Sequence, residues 1–334
     1  MPRVVLAFDK FRGTATSDQL NGAAGAVATG AGWEAVAVPM ADGGEGSLDA
    51  VGGPNKRTTV ADPLGRPVEA GWRLDRGVAF VEMAAASGLL VVGGAEANDA
   101  VAADTTGTGQ LIATAIELGA RTVYVFLGGS ATTDGGWGAL DALPPAARLK
   151  EIELVVATDV RTRFTAAARV FGPQKGATAA QVEFLERRLN RLTQLYEETY
   201  GVDVSEMPGA GAAGGLAGGL AAVGGRIEGG FDVVAEWAGL DTHLDGASLV
   251  VTGEGFLDAE SFNGKVVGGV AGWAAEHDVP VLAIVGNCSD ASLDVPANVT
   301  VASLTGRYGL DEAMGRPLEL VADVVADHLA AVVD

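Results

Sequence analysis

Residues 3–30 read RVVLAFDKFRGTATSDQLNGAAGAVATG, and the order of residue types in this stretch decides the fold. Val4 to Phe8 is an unbroken apolar run, as expected of a strand buried on both faces. A loop with two cations, Asp9-Lys10-Phe11-Arg12-Gly13, follows it. Thr16 and Gln19 then stand at capping-box spacing and open a helix that runs to about Thr29. A second strand, Ala35 to Val38, is closed by Pro39. Strand, loop, helix and strand in this order build a parallel sheet covered by helices.

The last ninety or so residues follow the same grammar. Ser248–Thr252, Val281–Val285 and Val299–Leu304 read as strands and Val266–Ala275 as a helix, while Leu318, Val321, Val325 and Leu329 fall on one face of a terminal helix. The middle differs. Asp62 to Phe80 alternates around Pro63, Gly65, Pro67 and Gly77, as antiparallel hairpins do. A helix near Gly107–Leu118, strands at Thr122–Leu127 and Glu153–Thr158, and a long helix opened by Thr178 and Gln181 come next; Val182, Leu185, Leu189, Leu192 and Leu195 share a face of the long helix. The expected fold class is therefore α/β. Residues 1–62 and 247–334 form a doubly wound, flavodoxin-like parallel-sheet domain, and 63–246 form a second, inserted α/β domain. Gly43–Val51 reads as a glycine-started helix.

A chain of 334 residues with 48% apolar content can bury two cores of this kind. The formal net charge of −21 repels phosphate backbones and anionic lipid, so neither nucleic acid nor membrane is an expected partner. The single cysteine, Cys288, allows no internal disulfide, and the N-terminus lacks the apolar core of a secretion signal. Both features fit a cytoplasmic protein. Self-association as a homo-oligomer is left open.

Doubly wound sheets bind ligands beyond the carboxyl ends of their strands. The segments expected there are Asp9-Lys10-Phe11-Arg12-Gly13, Ala41-Asp42-Gly43-Gly44-Glu45-Gly46, Gly128-Gly129-Ser130-Ala131-Thr132-Thr133-Asp134-Gly135-Gly136, Asp159, and Thr252-Gly253-Glu254-Gly255. Two more segments set a lysine among glycines: Gly172-Pro173-Gln174-Lys175-Gly176 and Asn263-Gly264-Lys265. Phosphoryl transfer needs positioning and charge neutralisation more than covalent chemistry. Glycines bring backbone N–H groups close to phosphate oxygens. Lysine and arginine meet anions, and one or two carboxylates hold Mg²⁺. Each segment alone has a structural reading, as a turn, a cap or an exposed loop charge. Their co-occurrence on one predicted edge favours chemistry.

The strings DKFRGT, PMADGGEGS, TTGTGQLI, LGGSATTDGG, ATDV, VFGPQKGAT, PGAGAAGGL and VTGEGFLD with NGK resemble the bacterial type-1 glycerate kinase family, in that family's order and over nearly the whole chain. The resemblance implies ATP- and Mg²⁺-dependent phosphorylation of D-glycerate, 2-phosphoglycerate as product, and an active site between two α/β domains. Some residues depart from the family pattern. Arg12 stands where relatives usually have Lys, and Phe256 where they commonly have Arg. Arg161-Thr162-Arg163-Phe164 replaces the usual stretch after Asp159. After Asp141 a longer connection is reduced to Leu143-Pro144-Pro145-Ala146-Ala147. The strand at Glu153 still follows, so the expectation is a retained sheet that has lost a peripheral excursion.

The candidate catalytic residues are Lys10, Arg12, Asp42, Lys175, Asp159 and Lys265. Cofactor-binding candidates are Gly43, Gly44, Gly128, Gly129, Ser130, Thr132, Gly253 and Gly255, and metal candidates are Glu45, Asp134, Glu254 and Asp258. These carboxylates outnumber the roles, and the proton acceptor stays open among them. The alternative from another class is a non-catalytic sensor on the same scaffold. Gly209-Ala210-Gly211-Ala212-Ala213-Gly214 matches a dinucleotide-binding string literally, but Ser205-Glu206-Met207-Pro208 precedes it where that motif requires a strand; it reads as a close-packed helix start.

Overall fold

The computed structural model describes residues 1–262, 264–289 and 293–333. In chain order, the strands used below are β1 (Arg3–Phe8), β2 (Glu34–Ala37), β3 (Lys56–Ala61), β4 (Pro67–Asp75), β5 (Val78–Glu82), β6 (Thr122–Phe126), β7 (Glu153–Ala157), β8 (Arg226–Glu228), β9 (Leu249–Gly253), β10 (Val281–Val285) and β11 (Val299–Ser303). The main helices are α1 (Ser17–Gly30), α2 (Thr106–Glu117), α3 (Trp137–Ala142), α4 (Ala179–Tyr200), α5 (Ala212–Ala222), α6 (Val266–Glu276) and α7 (Pro317–Val333).

The chain divides into two compact units, one of residues 1–42, 49–51 and 231–334, the other of residues 43–48 and 52–230. The transitions fall near 42–52 and at 230, not at 62 and 246. The reason is strand pairing: β3 joins β4 in register from Lys56↔Trp72 to Ala61↔Pro67, which draws the segment before residue 62 into the second unit.

The first unit holds a wholly parallel five-stranded sheet in the order β11-β10-β9-β1-β2. Its central pair, β1 and β9, runs in register from Val4↔Leu249 to Phe8↔Gly253. Both strands are buried throughout after Arg3, which is why they read as continuous apolar runs instead of alternating ones. One face packs Leu6, Phe8, Val251 and Ile284 against Leu20 and Ala24 of α1 and Val321 and Val325 of α7. The other packs Ala283 and Val285 against Val267 of α6. Helices on both faces make the unit doubly wound.

The second unit is a six-stranded sheet in the order β3-β4-β5-β6-β7-β8. The β3-β4-β5 part is antiparallel, and β5 to β8 are parallel. Its main core sets Trp72, Val81, Val123, Val125 and Val156 against Leu111, Ile112, Leu216 and Leu220. The strand after the shortened connection is intact: β6 and β7 pair from Thr122↔Glu153 to Phe126↔Ala157. Leu143 ends α3 in extended conformation, as a residue before proline must, and Pro144-Pro145 turns the chain within a few residues.

Two local expectations are corrected. The expected helix over Gly43–Val51 shrinks to Ser47–Ala50, because Gly43 and Gly46 take φ of 83° and 94°, outside helical space. The stretch at Gly209–Gly214 does not start a regular helix either: Ala213, Gly214 and Gly215 all have positive φ before α5 continues.

Both expected capping boxes form, Thr16 with Gln19 on α1 and Thr178 with Gln181 on α4. Thr178→Ala is expected to lower stability by about 1 kcal/mol and Thr178→Ser to be nearly neutral. Urea denaturation of the two variants checks this, and equal midpoints for both would contradict it.

Candidate active site

Within the first unit, β1 leads through α1 to β2 on one side, while β9 leads through α6 to β10 on the other. The strand order thus reverses between β1 and β9, and a doubly wound sheet opens its ligand crevice at such a switch point. Asp9-Lys10 leaves β1 there and Glu254-Gly255 leaves β9. The two lips are joined by the Asp9 N–H, which donates to the Gly253 carbonyl at 3.0 Å. Only glycine fits at position 253, since a Cβ would lie 1.9 Å from the Ile284 carbonyl oxygen.

Acidic side chains interact across this edge. Burial, and next the charge of Asp42, push the Asp9 carboxyl up to about 7; Glu254 adds to the rise and Lys10 opposes it. Burial also pushes Glu254 up to about 7, against the Ser261 hydroxyl and Lys265, with Asp258 and Asp42 adding to the rise. Glu254 is 8% exposed, and its Oε1 has no hydrogen-bond partner among the described residues. Lys265 occupies the N-cap of α6, the end of a helix where a cation is unfavourable. Its ammonium lies 3.8 Å from Asp258 and 3.9 Å from Glu260. Asp258 Oδ1 in turn accepts the N–H groups of Glu260 and Ser261. Arg12 is exposed and Lys10 half-buried, while Asn263 lies outside the described residues. The first unit therefore brings together Lys10, Asp42, Glu254, Asp258 and Lys265, and adds Asp9, which the sequence reading named only as part of a loop.

In the second unit, the loop after β6 is held from several sides. Gly128 and Gly129 receive the segment Gly44-Glu45 so closely that a Cβ on Gly129 would lie 2.1 Å from Glu45 Oε1. Asp134 is buried, and its carboxylate accepts the N–H and hydroxyl of Thr105 (3.0 and 2.7 Å) and the N–H groups of Gly136 and Gly138 (3.2 and 3.0 Å). Burial raises the Asp134 pKa, and those four donors oppose the rise. Lys175 is 2% exposed; its ammonium donates to the Thr132 carbonyl at 2.6 Å. Burial lowers its pKa to about 7, with Asp134 opposing. Asp159 Oδ1 accepts the Gly230 N–H at 2.8 Å. Glu82 Oε2 accepts the N–H groups of Gly46 and Leu48, and Asn98 ties two segments through its amide. The sequence reading missed Glu82 and Asn98. Neither lies in a glycine-rich string, and a lone Glu at a strand end or Asn in a loop gives no periodic signal. Among the described residues no three His, Cys, Asp or Glu side chains form a metal shell.

Comparison with known proteins decides the family. A model described as "Glycerate kinase family" matches residues 4–146 and 144–333. The chain belongs to the glycerate kinase family. It is a kinase, a phosphotransferase with an alcohol acceptor. The two matched stretches meet at residues 144–146, in the segment where the connection is short. Escherichia coli glycerate 2-kinase is 38% identical over 293 residues, covering 76% of this chain and 77% of its own length. Bacillus subtilis glycerate kinase is 34% identical over 336 residues, 88% of each chain. The crystal structure of a putative glycerate kinase 2 from Salmonella typhimurium LT2 superposes with a TM-score of 0.81 at 30% identity, covering 99% of this chain and 98% of that one. No helix among the described residues is long and apolar enough to cross a membrane.

The raised carboxyls make stability depend on pH. Asp9 and Glu254 have ordinary values of 3.8 and 4.5 and folded values of about 7, so the native state holds the extra protons. Their contribution is fully present below about pH 4 and is lost as pH rises through 7. Asp9→Asn and Glu254→Gln are therefore expected to melt several degrees above wild type at pH 8 and to match it near pH 4. Thermal melts across that range check this, and a difference independent of pH would contradict it.

Proposed function

We propose that this kinase transfers the γ-phosphoryl group of ATP, as its Mg²⁺ complex, to D-glycerate, giving 2-phosphoglycerate. The observation that carries the reading is Glu254, a buried carboxylate with an orphaned Oε1 at the switch point of a doubly wound sheet. An atom in that state suits a hard cation, and Mg²⁺ needs only one or two protein carboxylates when phosphates supply further oxygens. Glu254 would hold the ion, with Asp258 beside it; the ion would neutralise charge on the phosphates. The names of the relatives support glycerate as the acceptor.

The remaining roles follow from charge and position. Lys10, Arg12 and Lys265 are cations on the carboxyl edge of an acidic chain, and they meet the carboxylate of the acceptor and the oxygens of the phosphoryl group. The Asp9–Asp42 pair accepts the proton of the attacking hydroxyl. Asp42 raises the affinity of Asp9 for a proton, so the role rests on Asp9 with Asp42 beside it. Gly253 and Gly255 keep the β9 loop narrow enough for backbone to approach a ligand. In the second unit, Gly43, Gly44, Glu45, Asp134 and Asp159 shape and brace the glycine loops, and Gly128, Gly129, Ser130 and Thr132 present backbone to an anion. Lys175 supports them from within the protein.

Steady-state ADP release with Mg²⁺, ATP and D-glycerate tests this, with the product identified by ³¹P NMR. Turnover with glycerate is expected, along with a loss on the order of ten- to a thousand-fold in Lys265→Ala and a higher Mg²⁺ requirement in Glu254→Gln. No release above background with glycerate and other small hydroxy acids would contradict the reading.

A further inference from the structure

The loop after β6 carries polar groups that nothing in its own unit explains. The hydroxyls of Thr132 and Thr133 are wholly buried and have no hydrogen-bond partner among the described residues. The backbone N–H groups of the same two residues also make no hydrogen bond among the described residues. More than nine in ten buried backbone donors are paired in folded proteins. Four orphaned groups on two consecutive residues are therefore a concentration that packing alone does not produce.

The opposite edge of each peptide is pinned. The Asn98 amide nitrogen donates to the Ala131 carbonyl at 3.0 Å and to the Lys175 carbonyl at 2.8 Å. Both partners are carbonyl oxygens, so this end of the amide has to be the nitrogen. The buried Lys175 ammonium donates to the Thr132 carbonyl at 2.6 Å. There are no cis peptide bonds among the described residues, and in a trans peptide the carbonyl and the following N–H point in opposite directions. Asn98 therefore turns the Thr132 N–H away from itself, and Lys175 does the same for the Thr133 N–H. Successive N–H groups freed on the side away from those partners can form an anion-binding nest.

We infer that residues 131–133 are an anion nest, in which the N–H and hydroxyl groups of Thr132 and Thr133 receive the oxygens of a carboxylate or phosphoryl group, while Asn98 and Lys175 act as positioning residues behind it. Lys175 then needs no contact with the ligand; its ammonium holds the Thr132 carbonyl and lies in the field of Asp134. The nest stands on the orphaned donors. Only the choice of bound group, an acceptor carboxylate or a nucleotide phosphoryl, rests on the proposed function.

The test uses the full chain and three probes in separate titrations: inorganic phosphate, Mg-ADP and D-glycerate. Thr132→Val and Thr133→Val keep shape and remove only the hydroxyl. Without ligand both are expected to melt at or above wild type, because each deletes a buried orphan. Both are also expected to weaken binding of one probe about ten-fold, the scale of a hydrogen bond to a charged group. Weakened phosphate and Mg-ADP binding assigns a phosphoryl group, and weakened D-glycerate binding a carboxylate. Lys175→Met and Asn98→Leu are expected to raise KM for that same substrate and to leave KM for the other unchanged. If both valine variants bind all three probes as wild type does, the nest is refuted. If they lose phosphate binding while wild type shows no turnover with glycerate, the nest stands and the proposed phosphorylation of glycerate fails.

Discussion

The parallel pairing of β1 with β9 is the contact on which the site in the first unit depends. It joins the beginning of the chain to its last quarter and places two strands with buried faces at the centre of a sheet. Each strand then leaves in the opposite direction, and the gap between them becomes the crevice edged by Asp9 and Glu254. A contact of such long sequence separation forms only after much chain entropy has been lost. Its strength comes from apolar burial, since Val4 to Phe8 and Val250 to Thr252 are nearly inaccessible to solvent. The Gly253 position shows how tight the result is: the strand end passes so close to Ile284 that a methyl group would not fit.

Against that apolar background, the polar groups that are buried at a cost stand out. Glu254 keeps an unpartnered oxygen, Asp9 sits beside Asp42, and Thr132 and Thr133 hide their hydroxyls. Asp134 is buried too, but four donors satisfy it. This contrast separates groups that brace the fold from candidates for ligand contact. A fold selected only for stability would pair them all, and unsatisfied buried groups are where sequence-level consistency is expected to break at a functional site.

Most of the architecture was legible in the sequence because it follows from periodicity. Continuous apolar runs gave the buried parallel strands, and the two capping boxes gave the starts of α1 and α4. What stayed hidden follows from chain geometry that periodicity does not encode. Gly43 and Gly46 interrupt a helical pattern through their φ angles, and β3 declares its allegiance only through its partner β4. The motif strings identified the loops, but not which atoms within them are free. Lys10 and Lys175 look alike in sequence, each a lysine in a loop near glycine. In the fold, Lys10 is half-buried on the carboxyl edge of its sheet, and Lys175 is sealed against a carbonyl. Asn98 and Glu82 left no trace because their work is to bind backbone far away in the chain.

The proposed function requires that substrates bind to the strand-end loops at the switch point of the first unit and to the loop after β6 in the second. Hydrogen–deuterium exchange of the full chain, with and without Mg-ADP and D-glycerate together, measures this directly. Slowed exchange is expected in peptides covering residues 9–13, 253–256 and 128–134, with α4 and α7 unchanged. Slowed exchange confined to other segments, with these loops exchanging as in the free protein, would contradict it.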